Sequence, residues 1–390
     1  MIPLMKNTFL HEEETKKELS EFILRTNRLS MGIMCTGFES AFAKFQKAGH
    51  AILFNSGASA NLAILQSLKN LGRLKDGDKI GFSALTWSTN VMPIMQLGFN
   101  PIPIDCAVHT LNVMAETLIA RLKETRIQAL FITNALGFAG DLDKIKALCE
   151  DEGIMLIEDN CEALGTQIKT GKTGTFGIAS SFSFFVAHHM STIEGGMICT
   201  NDDELAEMAR MVRANGWDRN LSPEQQMRWR KSNKVLNEYY SKYVFYDLAY
   251  NLRPTEITGF LGLTQIKYLK DNIRKRQKNY LKLESVVSKN PDLVSIDTSH
   301  LKLISNFAFP VICRTKEIKE KYLIRFFESE IEIRPVIAGN IQRQPFYKKY
   351  VNKEYKLPGT DFIHFCGFYC GNYPELTEDE LGIIARCLAK

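Results

Sequence analysis

The sequence predicts an α/β fold: a large domain built on a mostly parallel, mixed sheet covered by helices, then a smaller α+β C-terminal domain. Three observations carry the prediction. From about residue 40 to 200, short apolar runs alternate with amphipathic ones. The apolar runs are nearly unbroken, as strands buried on both faces require. Beyond about residue 255 this rhythm gives way to a long helical pattern and then to sparser strands.

The elements follow in order. "AILFN" (51–55) reads as a strand and "GASANLAILQSLKNL" (57–71) as the helix it feeds. "DKIGFSA" (78–84) and "PIPID" (101–105) are strands around the amphipathic "WSTNVMPIMQLG" (87–98). "QALFITNALG" (128–137) precedes the helix "DLDKIKALCEDEG" (141–153), and "IMLIEDN" (154–160) is the next strand. "SFSFF" (181–185) follows, and "DDELAEMARMVRANG" (202–216) has the acidic start and glycine stop of a helix. The polar segment 220–241 reads as a mobile or partner-contacting loop. After Pro254, residues 255–289 read as one long helical pattern. "NFAFPVICR" (306–314) and "EIEIRPVIAG" (330–339) are strands of the smaller domain, with a helix at 315–329 between them. The expected domains are 1–255 and 256–390.

Composition narrows the functional classes. A hydrophobic fraction of 45% and a charged fraction of 24% are those of an ordinary globular protein. The net charge is +5, with no basic run interleaved with aromatics, so nucleic acid is not an expected partner. No stretch of about twenty apolar residues predicts a membrane span. The start, "MIPLMKNTFLHEEETKKEL", has no apolar core of a signal peptide. Nine cysteines without a C-x-x-C pair argue against a disulfide framework, and no metal site is expected. A cytoplasmic protein with reduced thiols is the expectation.

Open α/β sheets bind ligands outside the carboxyl ends of their strands. At those ends stand Ser56-Gly57-Ala58-Ser59, opening a helix; Trp87; Asp159, with Glu162 three residues on; and Ser181 and Ser183 ahead of His188 and His189. Each has an ordinary structural reading as cap, core ring or satisfied histidine. Together they make a cofactor site. One absence belongs with them: from Thr173 to Arg230 there is no lysine.

"NSGASANLAIL", "FSALTWSTNVMPI", "IEDNCEALGT", "SFSFFVAHHMSTIEGGMICTND", "RANGWDRN" and "AYNLRPTEITGFLGLTQI" resemble the sugar-nucleotide aminotransferase family, in that order and spacing. That resemblance implies the aspartate-aminotransferase fold and pyridoxal phosphate or pyridoxamine phosphate as cofactor. In the family a lysine after the strand of Ser183 holds the cofactor covalently, whereas here the position is His188. The match is therefore to the dehydratase branch. An imidazole moves protons at neutral pH but makes no lasting imine.

The resemblance also implies roles. Gly57, Ala58 and Ser183 hold the phosphate, with Asn251 reaching in from the partner of a homodimer. Many relatives have a hydroxyl where this chain has Ala58. Trp87 stacks on the cofactor ring, and Asp159 pairs with the ring nitrogen. Glu162 replaces the usual Gln and faces the ring hydroxyl, where two oxyanions are unfavourable, so a proton is expected between them. His188 is the catalytic proton carrier. The implied reaction removes the C3 hydroxyl of a nucleotide-linked 4-keto-6-deoxy sugar, GDP favoured. L-glutamate is the amino donor, ammonia is released, and a 3,6-dideoxysugar for surface polysaccharide results. Arg219 and Arg334 are expected contacts to glutamate or the sugar nucleotide, because guanidinium suits carboxylate and phosphate. Asn215 stands where relatives have histidine. Three other readings compete: an ordinary sugar aminotransferase, which needs the lysine; an iron–sulfur dehydrase, which needs a C-x-C cysteine pair this chain lacks; and a binding or regulatory protein without catalysis.

Overall fold

A computed structural model describes every residue of the chain except Leu236. The strands of its first half are β1 (His50–Phe54), β2 (Lys79–Ser83), β3 (Asn100–Ile104), β4 (Ala129–Thr133), β5 (Met155–Asp159), β6 (Gln167–Ile168), β7 (Ala179–Ser183) and β8 (Gly196–Thr200). Seven of them form one sheet in the order β1-β8-β7-β5-β4-β2-β3. β8 runs antiparallel to both its neighbours, and the pairings from β7 to β3 are all parallel. The carboxyl ends of the parallel strands therefore share one edge. In register there, Thr133 lies opposite Asp159 and Asp159 opposite Ser181.

Helices cover the sheet because its strands are apolar on both faces. β4, β7 and β8 are buried along their whole length. Phe82, Phe131 and Ile157 are fully buried in the cluster under helix Gly57–Asn70. Side chains of this kind contribute about 1.5–3 kcal/mol each on burial. Helix Ile33–Gln46, which sequence patterning did not single out, is capped from outside. The Glu256 carboxylate accepts hydrogen bonds from the N–H groups of Gly32, Met34 and Cys35 at 2.7, 3.0 and 3.1 Å. A negative group suits the positive end of a helix.

The second half contributes β9 (Leu301–Leu303), which pairs with β6, and a separate antiparallel sheet. That sheet is ordered β10 (Ala308–Ile312), β12 (Gly367–Gly371), β11 (Ile333–Pro335). One apolar cluster joins Leu85, Leu136 and Phe138 of the first half to Phe309 and Phe326 of the second. Ile2, at the start of the chain, bridges to Ile331.

Two expectations are corrected. Within the segment read as a loop, Pro223–Ser232 is a helix, followed by a short one at Glu238–Ser241. The first starts with a reciprocal cap: the Gln225 N–H donates to Ser222 Oγ at 3.3 Å, and the Ser222 N–H to Gln225 Oε1 at 2.9 Å. Arg228 and Trp229 anchor it by donating to the buried Glu207 carboxylate. The pattern over 255–289 is two helices, Glu256–Gln265 and Leu269–Val287, and no glycine or proline marks the break.

Candidate active site

The shared strand edge opens onto a cavity of about 380 Å³, with Gly57, Ala58, Trp87, Asp159, Glu162, Ser183 and His188 all in its wall. Each arrives by a local cause. Ser56 Oγ accepts from the Ser59 N–H at 3.1 Å and so starts the helix Gly57–Asn70. The Gly57 and Ala58 N–H groups ahead of Ser59 have no intrahelical acceptor and are free for an anion. Gly57 is required by close approach: a Cβ there would lie 2.7 Å from Ser183 Cβ.

Asp159 ends β5 and accepts three hydrogen bonds. Asn61 and Asn90 side-chain N–H groups reach its Oδ2 at 2.9 and 2.7 Å, and the Cys161 N–H reaches Oδ1 at 2.8 Å. These bonds fix the carboxylate's direction at the cavity floor. Trp87 follows β2 and leaves its indole 54% exposed, unusual for a tryptophan and suited to stacking on a planar ligand.

Glu162 accepts the Leu136 N–H at 2.6 Å. Burial, opposed by that hydrogen bond and reinforced by the charge of Asp159, pushes its carboxyl up to about 8, so it carries a proton at neutral pH. His188 is half-buried in a turn closed by its own N–H donating to the Phe185 carbonyl at 2.9 Å. Its Nδ1 is buried without a hydrogen-bond partner. Burial, then the positive charge of Arg276, pulls its protonation down to about 4, so the imidazole is neutral at pH 7. Among the described residues, no lysine lines the cavity.

Three sequence-singled residues lie elsewhere. Asn251 is exposed and accepts from Arg253 Nε at 3.0 Å. Arg219 is exposed with its guanidinium 5.7 Å from the Trp217 ring, in a separate hollow with Arg210 and Arg213. Arg334 is exposed and ion-paired to Glu332 at 2.5 Å. Conversely, Asn90, Glu194, Phe307 and Tyr369 line the cavity and were not singled out. Asn61 had a signal, since its place four residues after Gly57 puts it on the same helix face. Phe307 and Tyr369 come from the second half of the chain, and no local pattern pairs them with β5 or β7. Burial, then Glu162, pushes the Tyr369 phenol up to about 12, so it stays protonated.

Comparison with known proteins places this geometry. A family model for the DegT/DnrJ/EryC1/StrS aminotransferase family matches residues 10–389. A GDP-4-keto-6-deoxy-D-mannose 3-dehydratase of Escherichia coli O55:H7 is 30% identical, with 99% of each chain covered. The solved E. coli GDP-4-keto-6-deoxy-D-mannose-3-dehydratase with bound hydrated PLP superposes with a TM-score of 0.89 at 29% identity, covering 100% of this chain and 99% of that one. A second structure, a GDP-4-keto-6-deoxymannose-3-dehydratase with a trapped PLP-glutamate geminal diamine, gives 0.89 at 28% identity with both chains fully covered.

Proposed function

The chain belongs to the DegT/DnrJ/EryC1/StrS aminotransferase family, and from that premise we propose that it is a 3-dehydratase dependent on pyridoxal and pyridoxamine phosphate. Its substrate in this reading is a nucleotide-linked 4-keto-6-deoxy sugar, GDP-4-keto-6-deoxymannose or a related GDP-linked heptose. The observation that carries the reading is a cavity whose wall holds a neutral histidine and no lysine. The names of the similar proteins support both the reaction and the GDP-sugar.

The residues present fit the cofactor. A helix N-terminus with free N–H groups lies beside a serine, a half-exposed indole faces the cavity, and a thrice-bonded carboxylate lies on its floor. Gly57, Ala58 and Ser183 would hold the phosphate, Trp87 the ring face and Asp159 the ring nitrogen. When bound, the amine form supplies a nitrogen that condenses with the sugar ketone and a ring that accepts electron density.

This chain's own groups do the rest. His188, neutral at rest, takes a proton from carbon. As an imidazolium disfavoured by its surroundings it readily gives one to the departing C3 hydroxyl. Protonated Glu162 spares the site a second negative charge and would offer a hydrogen-bond donor to the oxygen of a bound cofactor ring. Overall, the C3–O bond breaks and its oxygen leaves as water, hydrolysis takes one water up again, ammonia leaves, and glutamate supplies two electrons as it becomes 2-oxoglutarate. The sugar ends one oxygen lighter.

A homodimer is part of the proposal. Asn251 lies outside the cavity of its own chain, and Tyr239, Tyr240, Tyr243, Phe245 and Leu248 expose apolar surface just before it. Asn251→Ala is expected to weaken cofactor retention more than it lowers thermal stability. A cytoplasmic location suits nine unpaired cysteines and the substrates. No helix among the described residues is long and apolar enough to cross a membrane. The direct test adds pyridoxal phosphate and L-glutamate and follows visible absorbance. Conversion to the amine form with no borohydride-trapped lysine adduct is expected, and a trapped lysine adduct or no cofactor binding overturns the reading.

A further inference from the structure

Arg276, on helix Leu269–Val287, is 4% exposed, yet among the described residues its guanidinium donates only to neutral oxygens and feels a carboxylate, Glu375, only through its charge. A guanidinium buried without a counter-ion is normally unfavourable, so its surroundings must compensate. They do so with oxygen dipoles. Its Nε donates to Asn272 Oδ1 at 2.7 Å. One terminal nitrogen donates to the carbonyls of Asn306, Phe307 and Asn372 at 3.3, 3.0 and 2.7 Å. The other donates to the His188 carbonyl at 3.4 Å. Asn272, held by Arg276, in turn donates to the His189 carbonyl.

Two of these contacts end on residues of the cavity wall, His188 from the turn after β7 and Phe307 from just before β10. Their rings meet edge to face with centroids 5.7 Å apart. We propose that Arg276 is a positioning residue for the reaction: it clamps the His188 turn to the opposite wall and sets a fixed positive charge behind the imidazole. The inference rests on the dehydratase reading for what the imidazole does, while its geometry is independent of it.

The charge has a chemical consequence. A cation behind His188 disfavours the imidazolium, which keeps the base free at rest and makes the proton it captures easy to pass on. The other ionisable groups around His188 are Asp159, Cys161 and Glu162 after β5, Glu194 beyond the turn, Tyr369 on β12 and the adjacent His189. Arg276 itself feels the negative charge of Glu375, which favours the charged guanidinium. Lysine at this position would keep the charge but could not reach five oxygens through one ammonium.

The test uses the full chain with labelled histidine and follows its seven histidine signals by NMR as pH changes, His188 being assigned by its loss in His188→Asn. In the wild type His188 is expected to titrate near 4, and titration near an ordinary 6.5 overturns the inference without any variant. Arg276→Met is expected to raise that midpoint by about one unit or more and to move the acid limb of kcat/KM with it. Arg276→Lys is expected to leave the midpoint in place while kcat falls roughly tenfold or more at unchanged KM. A folded Arg276→Met with midpoint and rate both unchanged, or an Arg276→Lys with wild-type kcat, overturns it. If Arg276→Met does not fold, the wild-type titration and the lysine variant decide. A wild type that dehydrates nothing sinks the activity reading alone, since the titration is read without substrate.

Discussion

His188 and His189 are neighbours in the chain, share the same apolar surroundings and stand near the same guanidinium. Burial and Arg276 lower the protonation of both. Their addresses differ. Neither Nδ1 has a hydrogen-bond partner, but His188 lines the cavity, whereas His189 is 1% exposed and its Nε2 meets the Ser305 carbonyl at 2.8 Å. The same side chain is thus free to exchange protons in one place and is committed to holding two segments together in the next. Depressed protonation alone marks neither role; access to the cavity does.

The comparison can be broken most sharply at the first position. His188→Asn is expected to lower dehydration about 10²–10⁴-fold, as loss of a proton carrier does, with folding retained by circular dichroism and thermal melting. A turnover within a few-fold of wild type would erase the distinction between the two histidines. Next in size is the pH profile. Activity should hold down towards pH 4, where His188 takes a proton, and should fall above about 8 as Glu162 loses its own. Glu162→Gln keeps a hydrogen-bond donor and is expected to flatten the alkaline fall. A limb that survives the substitution assigns it elsewhere.

His189→Ala should show the reverse pattern to His188→Asn. It leaves the Ser305 carbonyl buried without a donor, so stability is expected to drop by about 1–3 kcal/mol, measured by denaturant unfolding, with turnover little changed. A separate effect, on stability alone, is linkage at His188. Its folded value lies below the ordinary 6.5, so the unfolded chain binds that proton first. Stability from this group is therefore complete above 6.5 and lost as pH falls towards 4. Unfolding curves of wild type and His188→Asn should diverge in that window and nowhere else.

Much of this was legible before any coordinates. Parallel strands buried on both faces write themselves as unbroken apolar runs, and the residues at their ends, Asp159, Ser183 and His188 among them, meet in the cavity. What was not legible came from distance in sequence. Phe307, Tyr369 and Arg276 are brought to the site by tertiary packing, and no local period announces them. Residue type alone does not place a group: Arg219 and Arg334 have the chemistry for anionic ligands and lie outside the cavity wall of their own chain. The segment 220–241 was polar enough to read as loop, yet Ser222 and Gln225 at its start carried a capping box. Weighing that pair above overall polarity would have found the helix.

The most direct test of the account supplies the protein with pyridoxal phosphate, L-glutamate and GDP-4-keto-6-deoxymannose, and weighs the sugar nucleotide afterwards by mass spectrometry. A product lighter by one oxygen atom, formed together with equal amounts of 2-oxoglutarate and ammonia, is the predicted result. A product carrying the amino group of glutamate on the sugar, with its C3 hydroxyl intact, would contradict it.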